Sequence, residues 1–274
     1  MFNETLDFSK YKKLGLNYCG AKKLIAPQIF QLMHERHFKG HGKKAVYFLD
    51  CFGGGGSMSL AALQLGYKAI YNELRPDLCL FFKDFKWENP KKLPPCDLAE
   101  WKKIAKTSRD ERDFWQVAKL LFYSFNFGME RKGYSTQNYT LAEPFFEALR
   151  GLNLQNLAVR NSNYKDLSFF IYDFKPHEIM IYADIPYQDD KSKASYKGVY
   201  DERFEIGEFC EWCEDLRGRG YEVFVSEYNA PSEDFTELLS VKKGLMTNPY
   251  APRGVRYEKI FVLKDSENAI KKAV

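Results

Sequence analysis

The sequence predicts an α/β fold with a mostly parallel sheet, and three observations carry that prediction. Short apolar runs alternate with helical patterns along most of the 274 residues. This alternation is typical of a sheet covered by helices. Four consecutive glycines, Gly53 to Gly56, separate the first apolar run from the next helical stretch. A later apolar run, residues 178–184, stops at the carboxylate of Asp184.

The first elements form a strand–loop–helix–strand unit. Residues 45–50 (AVYFLD) are predicted as a short strand, the apolar spacing from Met58 predicts a helix, and residues 68–73 (KAIYNE) are predicted as the next strand. Further strands are predicted at 157–162, 178–184, 221–228 and 258–264. A helix predicted over 203–220 connects two of these strands and ends in glycines, as helices often do.

The alternation lapses between residues 84 and 154, where the sequence is helical and aromatic and where three prolines, Pro90, Pro94 and Pro95, mark the beginning. We therefore expect an inserted lobe at 84–154. Residues 1–83 and 155–274 then form the main domain.

Composition limits the classes of protein that the chain can belong to. The 45% apolar content can fill one sizeable core. No apolar stretch approaches the roughly 18 residues of a membrane span, and the opening residues lack a signal-peptide pattern, so we expect a cytoplasmic protein with no membrane partner. Six scattered cysteines fit reduced thiols. The net charge of +4 permits a polyanionic partner without requiring one.

The glycine loop predicts a nucleoside site without phosphates. No Lys-Ser/Thr follows the glycines, so a nucleoside triphosphate P-loop is not expected. Asp50, just before the loop, would repel a phosphate and attract an ammonium group. Glu73 ends the next strand, where a carboxylate can accept hydrogen bonds from a ribose diol. S-adenosyl-L-methionine fits all three conditions; the alternative is a plain glycine turn with an exposed Asp and Glu.

Five short blocks give the chain a resemblance to a known family. They are NYCGAKKLIAPQI, DCFGGGGS, YNEL, NSNYKDL and YADIPY, spread from residue 17 to 187. Their order and spacing resemble those of Dam-type (class D12) DNA adenine N6-methyltransferases. The resemblance implies a Rossmann-like methyltransferase sheet that depends on S-adenosyl-L-methionine, encoded by a bacterium or a phage. It also implies a cofactor site formed by Tyr18, Lys22, Asp50, Phe52, Gly53, Gly54, Gly55, Gly56, Glu73, Asp166 and Asp184. Without the resemblance, Lys22 is better interpreted as a surface lysine, and Asp166 as a helix cap or strand-end carboxylate.

The same resemblance gives the segment Asp184, Ile185, Pro186 and Tyr187 the catalytic role. The Asp184 carboxylate and the Ile185 carbonyl can each accept one hydrogen of an adenine amine, which favours its pyramidal, nucleophilic form. Pro186 fixes the turn, and Tyr187 offers a flat face to a base flipped out of the duplex. The usual family sequence is Asp-Pro-Pro-Tyr. Ile185 therefore keeps the carbonyl and loses some rigidity, and we expect activity to survive.

DNA contacts are expected in the lobe and near the carboxyl end. Arg131 and Lys132, in SFNFGMERKGYS, are the candidates within the lobe, and Arg253 and Arg256 are candidates in a hairpin or an ordinary connection at 248–259. Double-stranded DNA and a monomeric enzyme are the expectation. Methylation of cytosine N4 or of RNA, and a catalytically silent nucleic-acid-binding relative, stay open as alternatives.

Two further patterns are interpreted as structural. His34, His37 and His41 have helical spacing without a nearby cysteine, and Cys210 and Cys213 form a lone Cys-x-x-Cys inside an amphipathic helix. We expect packing at both places and no metal site.

Overall fold

The computed structural model describes residues 5–16, 21–186, 204–243 and 256–264. The chain divides into two compact units, Met1–Ile179 and Met180–Val274. Within the described ranges, the helices are α1 (Ala26–His41), α2 (Ser57–Gln64), α3 (Pro76–Glu88), α4 (Leu98–Lys106), α5 (Phe114–Phe122), α6 (Ala142–Arg150), α7 (Leu167–Ile171) and α8 (Ile206–Gly218). The strands of the same ranges are β1 (Tyr47–Asp50), β2 (Lys68–Asn72), β3 (Leu157–Arg160), β4 (Ile179–Asp184), β5 (Val223–Glu227), β6 (Phe235–Lys243) and β7 (Arg256–Leu263). None of the helices found in these ranges has the length and apolar character needed to cross a bilayer.

The first unit carries three parallel strands in the order β3, β2, β1. Asp50 pairs with Tyr71 across β1 and β2, and Asn72 pairs with Arg160 across β2 and β3, so the carboxyl ends of all three strands lie at one edge. Parallel strands of this kind are usually buried on both faces, which explains why most residues of β1 and β2 are apolar and buried.

Local sequence sets where α1 begins and ends. Pro27 stands in the first turn, where its missing N–H is not needed. Gly42 ends the helix in the left-handed conformation, and its N–H donates to the carbonyl of Phe38 at 2.7 Å. The helix buries the face that contains Ile29, Phe30 and Met33.

Residues 84–154 contain helices and short 3-10 turns. Asp97 caps α4 through the N–H of Glu100, and Asp113 and Gln116 form a capping box at the start of α5. Rings from α3, α5 and α6 pack together, among them Phe81 stacked on Phe114 with centroids 5.3 Å apart. The predicted boundary at residue 84 falls inside α3, because that helix continues to Glu88 and supplies rings to this cluster.

The second unit is built on β4, β5, β7 and β6, in that order. Strands β4 and β5 are parallel and joined in sequence by a segment that includes α8. Strand β7 lies antiparallel to β5, and β6 lies antiparallel to β7 with a bulge between Glu237 and Leu239. Parallel strands that alternate with helices, followed by an antiparallel pair, confirm the α/β Rossmann-like prediction.

Six of the seven strands of the described residues were predicted from sequence, with ends that differ by at most two residues. The prediction missed β6. Its sequence, FTELLSVKK, mixes polar and apolar residues. Among the described residues this strand lies at the edge of the sheet and pairs with β7 alone, so it is less buried than a central strand. The apolar run that marks a buried strand is therefore absent.

Candidate active site

The glycine loop leaves β1 and packs directly on β2. The N–H of Gly53 donates to the carbonyl of Asn72 at 2.7 Å. A Cβ at residue 53 would lie 2.3 Å from the ring of Tyr71, so only glycine allows this approach. The Tyr71 hydroxyl in turn donates to the carbonyl of Gly54 at 2.8 Å. The loop therefore has a fixed shape, and Gly55 and Gly56 lead directly into α2.

Glu73 lies immediately after β2 and holds the loop from the other side. Its Oε2 accepts the N–H of Gly54 at 2.8 Å, and its Oε1 accepts the N–H of Arg75 at 3.0 Å. The side chain is buried, and burial raises the pKa of Glu73 although these two N–H groups and the Arg75 charge lower it. A carboxylate has about four lone-pair sites, so Glu73 can accept a further donor.

Asp50 is the last residue of β1 and is buried. Its Oδ2 accepts the hydroxyl hydrogen of Ser59, on α2, at 2.8 Å. Asp50 and Glu73 therefore flank the glycine loop, and neither is an exposed acid beside a plain turn. That surface interpretation of the two acids is wrong.

Lys22 is also buried, with 1% of its surface exposed, which rules out its interpretation as a surface lysine. Its backbone N–H donates to the hydroxyl of Ser57, the first residue of α2, at 3.0 Å. The N–H of Leu16 donates to the carbonyl of Gly55 at 3.0 Å. Both attachments lie on the glycine loop or the first residue of α2. Tyr18, between them in sequence, lies outside the described residues.

Phe52 and the region of Asp166 meet beside the loop. The Phe52 ring lies 5.5 Å from the ring of Tyr164, which begins the 3-10 turn that ends at Asp166. Asp166 is exposed and precedes α7, but its side chain forms no capping hydrogen bond. The capping interpretation of Asp166 is therefore wrong.

Sequence reasoning missed Asn72, the last residue of β2. Its side-chain amide donates to the carbonyls of Cys51 and Ser162, both at 3.0 Å, and its oxygen accepts the Ser162 hydroxyl at 2.9 Å. One buried side chain thus joins the segments that follow β1 and β3. The available signal was an amide in an otherwise apolar strand, in the sequence YNE.

The second unit places Asp184 at the carboxyl end of β4. Residues 179–183 are fully buried, whereas Asp184 is half-buried. The Ile185 side chain that follows is 1% exposed and Pro186 is half-buried. Tyr187 lies outside the described residues.

Beside Asp184 in the sheet lies a pair that the sequence did not reveal. Ser226 of β5 is the register partner of Asp184. Its hydroxyl donates to Oε1 of Glu258, on β7, at 2.7 Å, and both residues are buried. A carboxylate, a hydroxyl and a second carboxylate therefore belong to three adjacent strands of this unit.

The candidate DNA segment in residues 124–135 has an unusual backbone. Asn126, Phe127 and Met129 all have positive φ angles, of 49°, 55° and 52°, which costs free energy and is often kept for function. Lys132 is exposed, and its stem lies over Gly128, where a Cβ would come within 2.0 Å of it. Arg131 is half-buried, and both terminal nitrogens of its guanidinium are shielded from solvent. Of the other two candidates, Arg253 lies outside the described residues, and only the backbone of Arg256 is described, as the first residue of β7.

The histidines of α1 have protein partners. His34 Nδ1 lies 3.0 Å from the Tyr67 hydroxyl, and the Nε2 of His37 donates to the carbonyl of His177 at 3.1 Å. Burial lowers the pKa of His37 to about 4. No cluster of histidine, cysteine or acidic side chains suited to a metal occurs among the residues that the structure describes.

Comparison with known proteins identifies the family. Residues 18–248 match the model of the D12 class N6 adenine-specific DNA methyltransferases. No curated protein matches the chain. Methyltransferases of this class use S-adenosyl-L-methionine, which is the expected cofactor, and they act on DNA. The match covers most of the 274 residues, so the chain belongs to the D12 class and is an adenine-specific DNA methyltransferase.

Proposed function

We propose that the protein methylates the N6 amine of adenine at specific sites in double-stranded DNA, and that the target adenine leaves the duplex to reach Asp184. The position of Asp184 supports this most directly, since a half-buried carboxylate follows five buried residues of β4. An amine inside a base pair is inaccessible, which is why enzymes that act on bases flip them out.

The residues around the glycine loop fit S-adenosyl-L-methionine. When bound, this cofactor supplies an activated methyl group. We propose that Asp50 binds its ammonium group and that the free lone pairs of Glu73 accept the ribose hydroxyls. Gly53 to Gly56 and Phe52 would lie along the methionine part, with Lys22 and Tyr18 framing the pocket. Asp166, exposed and uncommitted to a helix cap, would accept from the adenine amino group. Two buried carboxylates beside the loop also disfavour phosphate-bearing cofactors.

At the target, Asp184 and the carbonyl of Ile185 would each accept one hydrogen of the adenine amine. This would draw the nitrogen lone pair out of the ring and stabilise the positive charge that develops on N6. Pro is absent at residue 185, but the Ile185 side chain is buried and can hold the carbonyl in its place. Tyr187 is proposed to stack on the flipped base, next to the turn fixed by Pro186.

Residues 84–154 are proposed as the target-recognition region. Lys132 is the exposed cation of the segment 124–135 and would contact a phosphate as it stands. Arg131 would have to turn outward to do so. Arg253 and Arg256 are proposed as further DNA contacts. We propose a monomer that acts in the cytoplasm of a bacterial or phage-infected cell.

The test is incubation of the purified protein with methyl-labelled cofactor and mixed-sequence duplex DNA, followed by identification of modified nucleosides by mass. We expect label in N6-methyl-2′-deoxyadenosine. Exclusive label in cytosine would contradict the proposal, and so would label that enters RNA but not DNA when the two are supplied in parallel reactions. A fluorescent adenine analogue at the methylated position should brighten on binding if the base leaves the stack.

A further inference from the structure

A buried ionic network connects the candidate DNA segment to the residues that follow Glu73. It contains three arginines and two carboxylates. Oδ2 of Asp77 lies 2.6 Å from a terminal nitrogen of Arg75 and 2.6 Å from one of Arg112. Arg75 also contacts Asp77 through its Nε at 3.0 Å, which makes that pair bidentate.

Glu130 completes the network from the candidate DNA segment. Its Oε1 lies 3.2 Å from Arg75 and 3.2 Å from Arg109, and its Oε2 lies 3.3 Å from Arg112. Burial raises the pKa of the Glu130 carboxyl, but the arginine charges outweigh that effect and leave the pKa below its ordinary value. Glu130 is therefore a carboxylate at neutral pH.

The charge balance makes Glu130 important for the position of the segment. Three guanidinium groups face two carboxylates, so the network already carries one excess positive charge. Without Glu130, each of the three arginines would lose a carboxylate contact, and the side chains of Arg75 and Arg112 are only 4% and 2% exposed. Removing one partner of a buried ion pair is strongly unfavourable, because the charge of the other partner stays buried without compensation. The simplest way to hydrate these arginine charges is for the segment 124–135 to separate from α3 and let water enter.

The segment itself is internally well fixed. The Met129 N–H donates to the Ser124 hydroxyl at 2.9 Å, and the Asn138 amide donates to the Ser124 carbonyl at 2.7 Å. The Phe125 N–H donates to the carbonyl of Gly133 at 3.1 Å. These bonds fix the internal shape of the segment, so its contacts with neighbouring elements decide where Lys132 lies. Those contacts include the ones made by Glu130 and the bond from the Tyr134 hydroxyl to the Cys96 carbonyl at 3.0 Å.

We infer that Glu130 is a positioning residue for DNA binding: its contacts with Arg75, Arg109 and Arg112 hold the segment 124–135, and with it Lys132, in the orientation that meets DNA. The inference rests on the proposed role of this segment in DNA binding. Glu130 carries a negative charge and is not expected to touch DNA itself.

The direction in which one substitution changes DNA affinity tests the inference. Glu130→Gln removes a negative charge, which by electrostatics alone would strengthen binding to a polyanion. A positioning role predicts the opposite, a loss of about tenfold or more in DNA affinity, because the displaced segment no longer presents Lys132 to the phosphates. The dissociation constants for a DNA duplex and for S-adenosyl-L-methionine are measured separately. The cofactor constant should change by less than about threefold, because the Glu73 bonds to the backbone remain.

Three variants serve as controls. Glu211→Gln removes an exposed carboxylate from α8, outside the proposed recognition region, and should leave DNA affinity unchanged or slightly higher. Glu130→Asp keeps the charge and should recover part of the lost affinity. Arg109→Gln, combined with Glu130→Gln, removes both members of one contact, so the double variant should lose less DNA affinity than the sum of the two single losses.

The outcomes separate this inference from the proposed function. Wild-type affinity in Glu130→Gln, or tighter binding, overturns the inference, and so does a parallel loss of DNA binding, cofactor binding and thermal stability. A wild-type protein that methylates adenine while Glu130→Gln binds DNA normally leaves the proposed function intact. A wild-type protein that binds no DNA overturns both.

Discussion

The carboxylate of Glu73 accepts the backbone N–H of Gly54 at 2.8 Å, so the side chain that is proposed to bind the ribose also shapes the glycine loop. Glu73→Gln keeps the size of the side chain but removes its charge. Hydrogen bonds to charged groups contribute about 1.5–3 kcal/mol, so we expect the affinity for S-adenosyl-L-methionine to fall by about tenfold to a hundredfold. Isothermal titration measures it, with the exposed Asp173→Asn as the control. Unchanged affinity would remove Glu73 from the cofactor site.

Asp184 should separate binding from chemistry. Asp184→Asn can still accept one hydrogen bond but lacks the charge that stabilises the methylated amine. We expect methyl transfer to fall by about a hundredfold or more, with DNA affinity nearly unchanged. Single-turnover rates with labelled cofactor measure the effect. Asp215→Asn, an exposed change on α8, is the matched control; equal rates in the two variants would exclude Asp184 from the reaction.

Lys132 should contribute one phosphate contact. In Lys132→Gln, we expect the slope of log affinity against log salt to decrease in magnitude by about 0.9, the value for one released counterion. The loss should be similar for DNA of any sequence, since a phosphate contact carries no base information. Lys39→Gln, exposed near the end of α1, is the control. An identical slope in the Lys132 variant would place this lysine away from DNA.

The buried hydroxyl of Ser226 should stabilise the second unit. Ser226→Ala removes the donor to Glu258 at 2.7 Å and leaves a buried carboxylate oxygen without it. We expect a loss of about 1–3 kcal/mol in the free energy of unfolding, measured by urea denaturation. Ser240→Ala, exposed on β6, should change it by less than about 0.5 kcal/mol. Equal stabilities would show that the bond contributes nothing.

His37 should make the folded state sensitive to mild acid. Burial lowers its pKa from 6.5 to about 4, with smaller effects from His34, His41 and His177. The unfolded chain therefore binds the proton more readily than the folded protein. The stabilisation is complete above pH 6.5 and is lost as the pH falls towards about 4. His37→Gln can still donate to the His177 carbonyl but does not titrate. In this variant, the midpoint of urea unfolding should change less with pH across this window. An unchanged pH profile would contradict the assignment.

The strand ends were predictable because an apolar run followed by a carboxylate can be recognised from neighbouring residues alone. Asp50, Glu73 and Asp184 each lie within one residue of a strand end, as predicted. Contacts between side chains that are far apart in sequence were not predictable. Glu130 meets Arg75 across 55 residues, and nothing local distinguishes it from a solvated glutamate.

Burial of polar groups was the second limit of the sequence. Lys22 looked like a surface residue, since lysine is seldom buried unless paired, yet it is among the largest fully buried side chains of the described residues. The roles of the site residues remain predictions from the family pattern, and the experiments above decide them.

The close packing of Gly53 on Tyr71 has a consequence for engineering. Because a single added methyl group at residue 53 would run into that ring, the glycine loop cannot be diversified at this residue alone. A designer who wants the enzyme to accept bulkier cofactor analogues must trim Tyr71 in the same step, and would then also give up the hydroxyl that fastens Gly54. Libraries that pair these two positions should yield folded variants where single-site libraries fail.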